Sequence, residues 1–168
     1  MEYLLGKTTD KKQRAYLINH FLDQFKGTLY RQTMFAEYEL RIAELNQQGT
    51  TLTADVLCSE YKKLNELYYG PDVVSDDQIA LEWARIPHFH YDFYVYKYAT
   101  GISAALALSK KILDGETEGY LRFLKAGDSK EVIDIMKDAG VDFTTPAPVQ
   151  DAMDVFAEQV KELKKCLK

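Results

Sequence analysis

Apolar residues recur along the chain with the spacing of an α-helix and rarely with the alternation of a β-strand. No proline occurs between Asp10 and Gln48. Four large apolar residues in this stretch follow one another at four-residue intervals and so share one helix face: Leu17, Phe21, Phe25 and Leu29. We therefore predict one long helix that is capped by Asp10 and ends at Gly49. At about 1.5 Å per residue it would span roughly 55 Å.

Shorter helices, separated by Gly and Pro, are predicted for the rest of the chain. Thr53 begins a second helix that ends at Gly70. Residues 75–78 have the S-x-x-Q spacing of a capping box, which predicts a short third helix that stops before Pro87. The remaining predicted helices run from near His90 towards Gly115, over about 118–126 and 129–138, and from Val149 to Leu167. The predicted class is all-α, with residues 1–168 forming a single helical domain.

Composition and charge narrow the possible function. A hydrophobic share of 46% and a charged share of 28% are typical of a soluble globular protein. The net charge of −5 argues against nucleic acid or an anionic membrane as the main partner. Because no apolar run is long enough for a bilayer and the N-terminus lacks the order of a signal peptide, we predict a cytoplasmic protein. Cys58 and Cys166 are too few for a disulfide framework or a zinc site, which predicts inert thiols.

Familiar catalytic motifs are missing from the sequence. H-E-x-x-H, G-x-S-x-G and the phosphate-binding loops do not occur. The three histidines are His20, His88 and His90, and neither their spacing nor Asp92 nearby completes a metal site. Glu37 and Glu39 would point about 200° apart on a helix and cannot face each other as an acid pair. We interpret these two acids as solvated or salt-bridged surface.

The stretch IPHFHYDFYVYKYATG, residues 86–101, is unusually rich in phenols and imidazoles. If a helix begins near His90, then Tyr91, Tyr94 and Tyr98 share one face, whereas Tyr96 points elsewhere. Such a face could hold a peptide backbone or donate hydrogen bonds to an oxyanion, with His88 projecting from a loop after Pro87. Packing of the rings, with each O–H satisfied elsewhere, explains the composition equally well.

Four segments carry a resemblance to a known family: FLDQFKGTLYRQTMFAEYEL, IALEWARIPHFHYDFYVYKYATGISAALALSKKIL, YLRFLKAG and AGVDFTTPAPVQDAM. They resemble the C-terminal part of oligoendopeptidase F, a bacterial relative of thimet oligopeptidase, and the resemblance extends over essentially the whole chain. It implies the C-terminal part of a larger α-helical zinc metallopeptidase that cleaves short peptides. In that family two histidines of H-E-x-x-H and a later glutamate hold zinc, and these ligands would precede Met1.

The resemblance therefore implies a fragment, which alone should neither bind zinc nor hydrolyse peptides. Its expected partners are short peptide substrates and the missing N-terminal portion. An exposed apolar surface, normally covered by that portion, would also favour self-association.

The resemblance also implies roles for the aromatic stretch. His88 matches a family histidine that stabilises the substrate carbonyl, and Tyr94 is the first candidate for the catalytic phenol. Tyr91, Tyr98 and His90 are candidates for substrate binding, although the family commonly has Tyr at the position of His90. The alternatives are a non-catalytic helical module that binds peptides or a partner helix, and a purely structural domain.

Overall fold

A computed structural model describes residues 2–168, and within that range all regular secondary structure is helical, which confirms the all-α class. The α-helices are α1 (Glu2–Lys7), α2 (Lys11–Phe25), α3 (Arg31–Gln47), α4 (Ala54–Tyr69), α5 (Tyr96–Leu113), α6 (Glu118–Ala126), α7 (Val132–Asp138) and α8 (Ala147–Cys166). A π-helical turn at Lys26–Tyr30 joins α2 to α3, and two 3₁₀ helices follow α4, at Ile79–Arg85 and Pro87–His90.

The predicted long helix is present as α2, the π-helical turn and α3 in succession. Its cap is the predicted one, because the Asp10 carboxylate accepts a hydrogen bond of 2.9 Å from the backbone N–H of Gln13. It ends at Gly49, whose φ of +85° lies in the left-handed region that glycine adopts at little cost. The π-helical turn at Lys26–Tyr30 was not predicted.

The apolar face of α2 differs slightly from the predicted one. Phe25 and Leu29 are buried as expected, but Ile18 and Leu22 are buried in place of Leu17 and Phe21. Those two predicted residues are half-buried at the edge of the face.

The chain divides into two compact units, one comprising the residues up to Leu29 together with Ala99–Lys168, and the other Tyr30–Tyr98. In the first unit α2 packs along α8, where the Phe25 and Phe156 rings stack at 4.8 Å between centroids. A second apolar cluster in that unit joins the middle of α5 to α7, and its buried members are Leu108, Met136, Ala139 and Val141. The single domain predicted for residues 1–168 stays a prediction.

The second unit, residues 30–98, is built around α3 and α4, and it contains the whole aromatic stretch up to Tyr98. Its buried core consists of Met34, Phe35, Tyr38, Tyr61, Leu64, Ile86 and Val95. Phe89 packs against Phe35 and Tyr38 on α3, with both ring centroids 5.2 Å away. This packing anchors the short 3₁₀ helix that carries His88.

Glu82, on the first 3₁₀ helix, ties that helix to α3 and α4. Its carboxylate accepts hydrogen bonds of 2.5 Å from the Tyr61 hydroxyl and from the Arg31 guanidinium. Burial raises the pKa of the Tyr61 phenol, and the hydrogen bond to Glu82 raises it further. The Tyr61 phenol is therefore protonated at neutral pH and acts as the donor in this hydrogen bond.

The capping box predicted at residues 75–78 is wrong. The Ser75 hydroxyl donates instead to Asn65 Oδ1 on α4, at 2.8 Å. The N–H of Ile79 is capped by the Asp76 carboxylate, also at 2.8 Å, and the helix that follows is a 3₁₀ helix. A long-range partner for Ser75 has displaced the local one, as often happens when tertiary contacts compete with a cap.

Apart from the start of α5, the predicted ends of the later helices agree with the structure to within about three residues. Cys58 and Cys166 are free thiols, and Cys58 Sγ accepts a hydrogen bond of 3.3 Å from the Trp83 indole. None of the helices in residues 2–168 combines the length and apolar character needed to cross a bilayer.

Candidate functional site

The backbone between Pro87 and Val95 does not form the predicted helix. A 3₁₀ helix ends at His90, Asp92 and Phe93 then adopt left-handed φ values of +50° and +56°, and α5 begins only at Tyr96. The prediction that a helix starts near His90 is therefore wrong. Phe89 and Val95 both pack into the core of the second unit. Because they are six residues apart, a straight helix would point them about 120° away from each other.

The turn nevertheless brings four of the predicted residues together into what we call the aromatic cluster: His88, Tyr91, Tyr94 and Tyr98. The His88 ring lies 5.8 Å from Tyr91, 5.6 Å from Tyr94 and 6.0 Å from Tyr98, measured between centroids. Tyr94 stacks on the imidazole, whereas the other two rings meet it edge-on. The cluster thus surrounds His88, and does not form a stripe on one helix.

Two polar contacts join members of the cluster. The Tyr98 hydroxyl lies 3.4 Å from His88 Nε2. A hydrogen bond with the Tyr94 phenol raises the pKa of the Tyr98 phenol. The ammonium of Lys97 lies 5.1 Å from the centroid of the Tyr94 ring, within cation–π distance. The Tyr98 phenol therefore keeps its proton at neutral pH, and each of the three hydroxyls can donate a hydrogen bond.

The cluster is accessible from solvent. His88, Tyr94 and Tyr98 are half-buried, and 58% of Tyr91 is exposed. A ligand that reaches this surface would meet several O–H donors and an imidazole on an apolar floor, an arrangement suited to a peptide carbonyl or an oxyanion.

His90 and Tyr96 lie outside the cluster. His90 is exposed at the end of its 3₁₀ helix, and in the described part of the chain it makes no ring contact with the cluster. Tyr96, which was expected to point elsewhere, is 52% exposed at the first residue of α5.

The surface interpretation of Glu37 and Glu39 is wrong for Glu39. Glu37 accepts a hydrogen bond of 2.7 Å from the Tyr68 hydroxyl, whereas Glu39 is only 5% exposed. Burial raises the pKa of the Glu39 carboxyl above its ordinary value. A signal was available in the sequence, because Glu39 lies four residues after Phe35 and three before Ile42, on the apolar face of α3.

Metal ligands do not assemble in the described part of the chain. Among residues 2–168, no group of three or more His, Cys, Asp or Glu side chains could hold a metal ion. The zinc that the family implies for the intact enzyme therefore does not fit the residues described.

We expect the purified chain to contain far less than one zinc ion per molecule after gel filtration, because four-coordinate zinc needs at least three protein ligands. Inductively coupled plasma mass spectrometry measures this, with a chain carrying His88→Gln and His90→Gln as the matched control. The same trace zinc content is expected in both proteins. One tightly held zinc ion per chain, lost in the double variant, would contradict the prediction.

The chain is helical and carries an aromatic cluster that can donate hydrogen bonds. Comparison with known sequences shows the protein family to which such a chain belongs. Residues 1–155 match the model of Peptidase family M3, and the chain belongs to this family. The resemblance to oligoendopeptidase F is confirmed.

Individual relatives agree with this assignment. The chain is 50% identical to Oligopeptidase PepF of Bacillus subtilis over 99% of its own length and 25% of that protein. It is 42% identical to the chromosomal Oligoendopeptidase F of Lactococcus lactis subsp. cremoris, over 98% of its length and 28% of the relative. A crystal structure of oligoendopeptidase-F from Enterococcus faecium superimposes with a TM-score of 0.95 at 49% identity, covering 99% of this chain and 32% of that one.

The chain thus spans about a quarter to a third of the length of these relatives.

Proposed function

We propose that this chain forms one wall of the active site of a metallo-oligopeptidase that hydrolyses short peptides. In this proposal His88 and Tyr94 donate hydrogen bonds to the substrate carbonyl and to the oxyanion that develops from it. Tyr91, Tyr98 and His90 contact the bound peptide. The observation that carries the proposal is the aromatic cluster, in which three phenols lie around one imidazole on an accessible surface.

Hydrogen-bond donors aimed at a developing oxyanion stabilise the transition state more than the substrate. The loss of one such donor typically costs about 2.7–4 kcal/mol of transition-state stabilisation. Phenol O–H and imidazole N–H groups suit this role because both can donate a hydrogen bond to an oxyanion. Residues 2–168 supply no metal site, so the proposal places activation of the attacking water in the remainder of the longer protein.

The proposal is tested with a full-length M3 peptidase that contains this segment and a quenched fluorescent peptide. Phe at Tyr91, Tyr94 and Tyr98 together removes three hydroxyl donors and keeps the rings. We expect kcat/KM to fall by at least a factor of about 100, because at least one hydroxyl serves the oxyanion. Zinc content and thermal stability should stay close to those of the parent enzyme.

The matched control carries Phe at three exposed tyrosines outside the cluster, Tyr3, Tyr16 and Tyr96, and should retain its activity. Unchanged turnover in the cluster variant would contradict the proposal. Peptide binding without hydrolysis by the parent protein would favour the alternative, a non-catalytic module that binds peptides. The remainder of the longer protein is a further implied partner, and self-association stays a prediction.

A further inference from the structure

Glu39 is a buried acid that the proposed chemistry does not use. It lies on α3 and is 5% exposed, and its Oε2 atom is buried without a hydrogen-bond partner in the part of the chain that the structure describes. Removing a carboxyl group from water is costly unless it is well paired. A carboxyl group at this buried position therefore suggests a function that needs hydrogen-bond acceptor oxygens, which an apolar residue lacks.

The candidate target of that function is the neighbouring turn, which separates His88 and Tyr91 from Tyr94 and Tyr98 along the chain. Asp92 and Phe93 are consecutive non-glycine residues with φ values of +50° and +56°. Non-glycine residues in this region are strained and persist only where the surroundings hold them. Asp92 is exposed, so its own side chain is not held by the core.

Glu39 lies next to this turn. Glu39, Asp92 and Phe93 line one small cavity, and the backbone N–H groups of Phe93 and Val95 act against the effect of burial on the pKa of the Glu39 carboxyl. Val95 is fully buried and directly precedes the first residue of α5. One side chain thus lies beside the second strained residue of the turn and close to the residue that precedes α5.

The turn determines the geometry of the cluster. His88 and Tyr91 come before it in the chain, and Tyr94 and Tyr98 come after it. The 5.6 Å stack of His88 on Tyr94 and the 3.4 Å approach of Tyr98 to His88 Nε2 both span the turn. A change of φ at either strained residue would move one pair of rings relative to the other.

We infer that Glu39 is a positioning residue, which holds the left-handed turn at Asp92 and Phe93 through hydrogen bonds to the backbone and so sets the distance between His88 and the tyrosines that follow. Its effect on catalysis rests on the proposed function, whereas its effect on the conformation of the cluster does not. Glu39 itself touches neither substrate nor reacting atoms.

The conformational part is tested on the chain itself by NMR of the imidazole resonances. The His88 signals are assigned by comparison with a His88→Gln variant. Glu39→Gln keeps the size of the side chain and replaces one acceptor oxygen by an N–H₂ donor, which would oppose the N–H groups of the turn. We expect the His88 resonances to shift in Glu39→Gln.

The matched control is Glu37→Gln, the same substitution two residues earlier on α3, where the carboxylate accepts from Tyr68 and not from the turn. Its His88 resonances should remain in place. Unmoved His88 resonances in a folded Glu39→Gln chain, or equal shifts in the two variants, would overturn the inference.

The catalytic part is tested in a full-length M3 peptidase that contains this segment. Glu39→Gln should lower kcat by roughly 10- to 100-fold with little change in KM, because displaced donors fail at the transition state more than in substrate binding. Addition of Asp92→Gly should restore much of the lost kcat, because glycine adopts a positive φ without strain.

Asp92→Ala removes the same carboxylate but keeps a Cβ atom, and it should not restore kcat. Equal recovery with Gly and Ala would show that charge, and not backbone conformation, links Glu39 to the cluster, and this would overturn the inference.

If Glu39→Gln does not fold, Asp92→Val addresses the same turn from an exposed position, since a β-branched residue disfavours a positive φ. It should shift the His88 resonances and lower kcat, and the absence of both effects would overturn the inference. If the triple tyrosine variant remains active, the proposed function fails, and the NMR comparison still decides whether Glu39 positions His88.

Discussion

Replacement of His88 by Ala in a full-length M3 peptidase that contains this segment is expected to lower kcat and kcat/KM together, by about 10²–10³-fold. The imidazole is the centre of the aromatic cluster, and all three tyrosines contact it. Its removal takes away one proposed oxyanion donor and the ring on which Tyr94 stacks. Because His88 is half-buried and does not belong to the buried core of the second unit, the effect on folding should be small by comparison.

Tyr94→Phe separates the hydroxyl from the ring. It keeps the stack on His88 and the contact with Lys97, so a residue that only packs would lose little. We expect kcat and kcat/KM to fall together, with zinc content and melting temperature nearly unchanged. Steady-state kinetics with a quenched fluorescent peptide provide the rates, and calorimetry provides the melting temperature.

Tyr96→Phe is the control, because this tyrosine lies two residues away and outside the cluster. It should have near-normal turnover. If His88→Ala and Tyr94→Phe also keep normal turnover, or lose it only by unfolding, the aromatic cluster is a packing feature and has no part in the chemistry.

Leu64→Ala is expected to lower the free energy of unfolding by about 2–5 kcal/mol, the usual range for a large aliphatic residue truncated in a core. Leu64 is 1% exposed on α4 and belongs to the core that also contains Phe35, Tyr61 and Val95. The loss in stability has two parts. The buried methyl groups of Leu64 no longer contribute their hydrophobic free energy, and a cavity is left between α3 and α4. Urea denaturation followed by circular dichroism measures it.

The same substitution three residues later tests the reasoning. Leu67 is on α4 as well but is 68% exposed, so Leu67→Ala should change the free energy of unfolding by no more than about 0.5 kcal/mol. Comparable losses in the two variants would mean that the α3–α4 core does not stabilise the isolated chain as its burial suggests.

Most of the helix boundaries could be predicted because their signals are local. Asp10 and Thr53 cap the helices that follow them, and Gly49 and Gly70 end helices with a positive φ, in agreement with the prediction. Ser75 is the exception, because its hydroxyl donates to Asn65 on α4. A hydrogen bond to a residue ten positions away cannot be predicted from a local capping motif.

The candidate site could be predicted only in part. The identities of His88, Tyr91, Tyr94 and Tyr98 follow from their unusual concentration and from the resemblance to a known family. Their arrangement does not, because periodicity favours a continuous helix over two strained residues. The prediction that Glu39 lies at the surface failed for a related reason. Glutamate is normally exposed, so the residue type predicted the surface, whereas its position on the apolar face of α3 predicted the burial that the structure shows.

The sequence by itself determined the all-α class, the long first helix, the identities of the clustered residues and the family, because capping, helical periodicity and side-chain chemistry are written in neighbouring residues. Only the tertiary structure decided where α5 begins, how His88 meets the tyrosines, and that Glu39 lies beneath their turn. These features depend on packing between segments distant in sequence. Phe89 and Val95 both pack into the core of the second unit, which requires the left-handed turn between them. The conformational cost of that turn is offset by contacts with residues distant in sequence, and these cannot be predicted from the neighbouring residues.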